Sequence, residues 1–343
     1  MKKLLAISVS ALALSAGAAF AAPPLPPADG SNSSTVEQVG TTNSATIDQG
    51  RSPGDAYLTN ESYVYQGLNS TGANNNIANV TQKDNSPNNY KNDVLNKSTI
   101  NQDGAWNQAT VKQTGQVNDA GNNGAQNIVS ITQVGNAASS ANPNTVTVTQ
   151  NSDDGPVLND STTTATVTQN VGNNNNAIVD QAGSHDTIST ATVTQGGGNN
   201  NNAYVYQSRG VYGDGVTSNN LGLTQNGNGN IATVTQGGAN TAHTALQTNS
   251  ATIEQDVNTN TATVVQHGAG GINTVNLYQY NSLNTGTITQ VSSGGSNEGD
   301  LYQHSENNNG KIDQATSVGG SQYNSASISQ SLGNYNVATV KQR

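Results

Sequence analysis

Along most of the chain, single apolar residues alternate with polar ones, and each run closes on a glutamine. NIATVTQ (230–236) shows the frame. In an extended chain Asn230, Ala232, Val234 and Gln236 share one side, while Ile231, Thr233 and Thr235 share the other. The frame N-x-A-x-V-x-Q returns as NSATIDQ (43–49), NIANVTQ (76–82), NQATVKQ (107–113), NNAIVDQ (175–181), NNAYVYQ (201–207), NSATIEQ (249–255), NTATVVQ (260–266), NSASISQ (324–330) and NVATVKQ (336–342). NPNTVTVTQ (142–150) is a variant with Val146 in the Ala place, and NTGTITQ (284–290) one with Gly286. A period of two over five to seven residues predicts β-strands. Helix competes poorly, because Thr, Val, Asn and Gly dominate and the apolar places do not recur at three or four.

The closing glutamines fall into pairs: 38/49, 66/82, 102/113, 133/150, 169/181, 195/207, 225/236, 255/266, 279/290, 303/314 and 330/342. Nine pairs are 11 or 12 residues apart, which leaves room for a strand and a short Gly/Asn turn; 66/82 and 133/150 are stretched to 16 and 17. Each pair predicts one strand-turn-strand coil. Two facing strands bury too little apolar surface to offset the entropy of ordering them, so coils must stack on one another. The expected fold is therefore all-β: a β-solenoid of about eleven parallel, stacked coils with two facing sheets, spanning 33–343.

Stacking also accounts for the inward amides. Coils about 4.8 Å apart bring like residues together, so buried amides can satisfy one another along the axis. The candidate ladder positions are Asn43, Gln49, Asn107, Gln113, Asn144, Gln150, Gln169, Asn175, Gln181, Asn201, Gln207, Asn230, Gln236, Gln255, Asn260, Gln266, Gln279, Gln290, Gln303, Gln314, Gln330, Asn336 and Gln342. Gly286 and Gly310 in the Ala place predict looser packing in the late coils.

Composition agrees with an amide-rich repeat. Only 32% of the 343 residues are hydrophobic and 9% charged, and Phe20 is the sole phenylalanine. There is no cysteine, so neither disulfides nor thiolate metal sites contribute. A net charge of −10 with 11 basic residues offers no footprint for nucleic acid or an anionic membrane. The start, MKKLLAISVSALALSAGAAFAAPP, pairs Lys2 and Lys3 with a short apolar stretch and Ala19-Phe20-Ala21. It predicts a secretory signal peptide over 1–21, followed by a Pro-rich tail over 22–32, with no membrane insertion of the mature chain. The first and last units carry no evident cap, so both ends of the stack are expected to be available for pairing.

Units such as SATIEQDVNTNTATVVQ (250–266) and STTTATVTQNVGNNNNAIVDQ (161–181) resemble the curlin repeat, S-x5-Q-x-G-x-x-N-x-A-x3-Q. Asn260, Ala262 and Gln266 match its second half, and Gln133 and Gly135 its centre; Ser250 stands one place too close to Gln255. The resemblance covers essentially the whole of 33–343. It implies a structural subunit of an extracellular functional amyloid of Gram-negative bacteria, a cell-surface fibre for adhesion and biofilm matrix. The implied partners are further copies of the chain, a nucleator subunit and the outer-membrane curli secretion machinery. The chain departs from the family in having more units and a shorter tail before Ser33.

Other chemistry is weakly supported. His185, His243, His267 and His304 occupy dissimilar places in the frame, and neither G-x-S-x-G, H-E-x-x-H nor a P-loop occurs. No enzyme activity, cofactor or metal is expected. The stretches 84–98 and 151–161 carry Pro, Gly and charges and predict outward arcs; Asp153, Asp154 and Asp160 lack a calcium-loop spacing. Tyr63, Tyr65, Tyr204, Tyr206, Tyr278 and Tyr302 have outward parity, with 278 and 302 placed to pack across adjacent coils. Trp106 reads as a half-exposed loop residue. Outward charges at Glu37, Asp48, Lys112, Asp180, Glu254 and Lys341 are expected to restrain premature association, so neutralising Asp48, Asp180 and Glu254 should shorten the lag of assembly. Two alternatives are a non-polymerising adhesin stalk and a solenoid whose outward threonines bind a regular surface such as ice.

Overall fold

The computed structural model describes residues 31–50, 59–67, 75–84, 94–117, 125–135, 143–154, 161–184, 187–208, 217–238, 247–268, 270–316 and 322–343. The expected leader and most of the Pro-rich tail lie outside them. Within them, strands alternate between two sheets of eleven.

The odd sheet begins with β1 (Ser31–Gln38), β3 (Thr59–Gln66), β5 (Leu95–Gln102), β7 (Ala125–Gln133) and β9 (Ser161–Gln169). It continues through β11 (Thr187–Gly196), β13 (Thr217–Asn226), β15 (Gln247–Gln255), β17 (Ile272–Gln279), β19 (Ser296–Gln303) and β21 (Tyr323–Gln330). The even sheet begins with β2 (Ser44–Gly50), β4 (Ile77–Asp84), β6 (Asn107–Val117), β8 (Asn144–Asp154) and β10 (Asn176–Ser184). It continues through β12 (Asn202–Gln207), β14 (Ile231–Gly238), β16 (Thr261–Gly268), β18 (Thr285–Ser292), β20 (Asn309–Ala315) and β22 (Val337–Gln342). One odd strand and the even strand after it make a coil.

Every neighbouring pair is parallel, and every pair sets the closing glutamine of one coil against that of the next. Register is fixed because a one-residue slip would turn the buried face outward. Burial alternates residue by residue, as in β7 and β9. The molecule is the two-sheet parallel solenoid that the periodicity predicts.

One continuous core runs between the sheets, built from the Val, Ile or Leu two places before each glutamine and, in most coils, from an apolar residue four places before it, usually Ala but Val at 129, 146 and 275 and Leu at 221. Val146 lies between Ala109 and Ala177 of the adjacent coils, so the larger side chain enters an Ala column without leaving the frame. At Gly286 and Gly310 the expected looseness is absent. A Cβ at Gly286 would lie 2.9 Å from Leu277 Cδ1 and 3.0 Å from Leu301 Cδ2, and one at Gly310 would collide with Leu301. Leucines of the facing sheet occupy the space that alanine fills in earlier coils.

The sequence-based boundaries shift at several places. β1 starts at Ser31, two residues before the expected boundary at 33. Asp84 belongs to β4, residues 95–98 to β5, 151–154 to β8 and Ser161 to β9, not to arcs. In β5 the charge at Lys97 points outward to Glu61 at 3.0 Å while Asn96 and Ser98 are buried, so a charged residue does not break the strand. The middles of those two stretches, 85–93 and 155–160, lie outside the described residues, and so does Asp160.

Candidate functional site

Each repeat glutamine lies on the inward face at or near the end of its strand, and in the interior coils it is buried away from water. In the odd sheet Gln38, Gln66, Gln102, Gln133, Gln169, Gln195, Gln225, Gln255, Gln279, Gln303 and Gln330 form an unbroken ladder. In the even sheet Gln49, Gln82, Gln113, Gln150, Gln181, Gln207, Gln236, Gln266, Gln290, Gln314 and Gln342 form a second, with bonds of 2.7–3.0 Å. In both ladders Nε2 of one coil donates to Oε1 of the next, always toward the C-terminal end. The same Nε2 groups also tie the sheets together: Gln113 donates to the carbonyls of Lys97 (3.0 Å) and Asn127 (2.8 Å) in the facing sheet. The chain separation between bonded glutamines varies from 24 residues (Gln255–Gln279) to 37 (Gln113–Gln150), yet both bonds are 2.9 Å.

The asparagines six places before each glutamine make two different columns. In the even sheet Asn43, Asn76, Asn107, Asn144, Asn175, Asn201, Asn230, Asn260, Asn284, Asn308 and Asn336 stand above one another. Their link is a backbone N–H donated to Oδ1 of the coil before, for example Asn230 to Asn201 and Asn260 to Asn230, both 3.0 Å. At Asn144 the side-chain Nδ2 makes that link instead, to Asn107 Oδ1 at 3.3 Å, and at Asn336 Nδ2 adds to the backbone bond, reaching Asn308 Oδ1 at 3.1 Å. Elsewhere Nδ2 reaches arc carbonyls, such as Gly198 O from Asn175 (2.8 Å) and Val257 O from Asn230 (2.8 Å). This differs from the amide-to-amide ladder expected from the sequence. The asparagine opens its strand at the mouth of an arc, where its own N–H and the arc carbonyls need partners.

The residue just before that asparagine explains the arc geometry. It has positive φ in ten of eleven coils: Thr42, Asn75, Trp106, Asn174, Asn200, Gly229, Thr259, Leu283, Asn307 and Tyr335. The exception is Pro143, whose ring fixes φ negative. Trp106 thus belongs to this column and is half-buried.

The odd sheet holds the amide-to-amide asparagine ladder, which the sequence reading left out. Asn60, Asn96 and Asn127 each donate Nδ2 to Oδ1 of the coil before at 2.8–2.9 Å, as do Asn249, Asn273 and Asn297 at 2.9 Å. Thr163 and Ser189 replace asparagine in the middle of the column, and Thr163 Oγ1 still donates to Asn127 Oδ1 at 2.6 Å. The signal was present as an Asn six places before Gln in β3, β5 and β17. It was obscured because Ser or Val stands there in the Ala place.

Interior ladder residues are fully buried, whereas Asn43, Gln49, Asn336 and Gln342 of the end coils are half-buried. Among the described residues nothing donates to Oε1 of Gln38 or Gln49. The N-terminal coil therefore presents glutamine acceptors, and the C-terminal coil presents the donors Gln330 and Gln342.

The outer faces are varied. Asp48, Lys112 and Lys341 are exposed, and Glu37, Asp180 and Glu254 half-buried. Burial pushes the Asp180 carboxyl up, and burial followed by the Asp256 charge does the same to Glu254. Glu61 raises Lys97 by hydrogen bond and charge, and the Lys97 ammonium lies 5.8 Å from the Tyr63 ring centre. Tyr278 and Tyr302 stack at 5.1 Å and 12°, and Tyr280 stacks on His304 at 4.8 Å. Tyr63, Tyr65, Tyr204 and Tyr206 also point outward, but their strand neighbours are not aromatic. His185 and His243 lie outside the described residues. Among the described residues, no three His, Asp or Glu side chains group as metal ligands.

A scan against protein-family models finds no match, and neither a search of curated proteins nor one of solved structures finds one.

Proposed function

We propose that this chain is a secreted structural subunit that stacks end to end on its own copies, forming a curli-like amyloid fibre for adhesion and biofilm matrix. The observation that carries this reading is the complementarity of the two end coils. A second copy docked in register would receive Nε2 of Gln330 at its Gln38 and Nε2 of Gln342 at its Gln49. Its Asn32 Nδ2 and Asn43 N–H would in turn meet Oδ1 of Asn324 and Asn336. Such a head-to-tail contact uses two different surfaces and does not close on itself, so it generates an open filament. Unpaired strand edges and stacked amides favour the same outcome. In this reading the role is mechanical, not catalytic. The remaining partners are a nucleating subunit and an outer-membrane export pore, with residues 1–21 directing the chain to the periplasm.

The lattice-binding alternative is less well supported. Thr132, Thr168, Thr194 and Thr224 line up across four coils of the odd sheet, but Asn101 precedes them and Glu254 follows. The test is to follow purified mature chain with a thioflavin-type dye and electron microscopy. The expected course is a lag, then dye-positive fibres that preformed fibres seed. A chain that stays monomeric and dye-negative rules the proposal out.

A further inference from the structure

The outer face of the odd sheet holds one pair of tyrosines in direct register. Tyr278 of β17 and Tyr302 of β19 are Cα partners, each one place before a closing glutamine. Their rings stack at 5.1 Å and 12°. The ladder bond between Gln279 and Gln303, 2.9 Å long, holds the adjacent backbone in place. Tyr280 and His304 stack beside them, with Tyr280 6.1 Å from Tyr278 and His304 6.5 Å from Tyr302, so each ring has aromatic neighbours on two sides. Both phenols are half-buried on a solvated face. Among the described residues, no other outward tyrosine has a tyrosine as its register partner. Tyr63 lies between Thr35 and Thr99, Tyr65 between Glu37 and Asn101, Tyr204 between Ile178 and Thr233, and Tyr206 between Asp180 and Thr235.

We propose that Tyr278 and Tyr302 are a site of oxidative cross-linking, joined ring to ring by a peroxidase using hydrogen peroxide. Each phenol gives up one electron and its hydroxyl proton, leaving a phenoxyl radical. The two radicals couple ortho carbon to ortho carbon, and the proton on each coupled carbon moves through water to its ring oxygen, restoring two phenols. One hydrogen peroxide takes up the two electrons and two protons and becomes two waters. The strand register supplies proximity, so the bond forms within one molecule and covalently staples one coil to the next. The inference does not depend on fibre formation, because both rings belong to one chain.

The experiment exposes dilute, freshly purified full-length chain to horseradish-type peroxidase and hydrogen peroxide during the lag phase. Dityrosine fluorescence is read, and protease fragments are mapped by mass spectrometry. The expected product joins the fragments carrying Tyr278 and Tyr302 with a deficit of two hydrogens, in a yield independent of protein concentration. Tyr302→Phe keeps the ring stack and should remove that product and lower the fluorescence several-fold, while Tyr204→Phe changes neither. Three results overturn the proposal: no dityrosine, a yield that rises with protein concentration, or cross-links that map mainly to other tyrosines. Tyr57, Tyr90 and Tyr212, which lie outside the described residues, are included in that mapping.

Discussion

Asn260 donates its backbone N–H to Oδ1 of Asn230 at 3.0 Å. This bond recurs along the even sheet, and it comes directly after a residue held with positive φ, here Thr259 at 60°. A β-branched residue pays a steric penalty in that conformation, which glycine avoids. The asparagine column holds the arc in place despite that cost.

Replacing Thr259 or Leu283 with glycine should therefore stabilise the monomer by about 1 kcal/mol, the left-handed penalty less the added freedom of the unfolded chain. Gly229 already fills the equivalent place one coil earlier than Thr259. Urea denaturation before assembly reads the effect. A lower midpoint for both variants would contradict the assigned arc geometry.

Gln207 and Gln342 should separate folding from assembly. Gln207→Leu leaves Gln181 Nε2 and Gln236 Oε1 without their ladder partners in a buried site, which should cost about 1–3 kcal/mol. Gln342 has one ladder neighbour, Gln314, and is half-buried, so Gln342→Leu should cost the monomer less than about 1 kcal/mol. In a fibre, however, it would become an interior rung. Seeded elongation should slow markedly for Gln342→Leu; an unchanged rate would count against end-to-end stacking in this register.

Gly310→Ala should destabilise the late coils by about 1–3 kcal/mol, because its methyl group has no room beside Leu301. Leu301→Val in the same chain should recover part of that loss. A double-mutant cycle with zero coupling would show that the two residues do not share the space.

Stability should fall as pH rises from mildly acidic toward neutral. Burial lifts Asp180 above its ordinary 3.8, and burial with Asp256 lifts Glu254 above 4.5. A carboxyl raised in the folded state stabilises it while protonated in both states, and that contribution disappears as pH climbs through the folded value. Asp180→Asn and Glu254→Gln should flatten the slope in a denaturation series across this window. If the slope survives in the double variant, its source lies in other groups.

The fold was legible because one residue type recurs at one fixed place in every strand. Glutamine sits at the same inward place in each strand, and the period-two pattern before it fixes which side faces in, so pairs such as Gln113–Gln150 could be aligned without knowing the path between them. Tyr278 and Tyr302 were legible for the same reason. Contacts across the two sheets were not, since nothing near Gly310 in the chain points to Leu301. The arcs were also misread at Lys97, where charge suggested a break but outward parity permits it. The backbone-linked asparagine column was hidden because it depends on arc geometry, which the strand frame does not encode.

The glutamine ladders keep 2.9 Å bonds whether 24 or 37 residues separate their partners. The stack thus counts rungs and ignores the length of chain spent between them. Such an architecture should accept insertions between strands: a foreign peptide spliced between two rungs is expected to leave the spacing of the scaffold untouched.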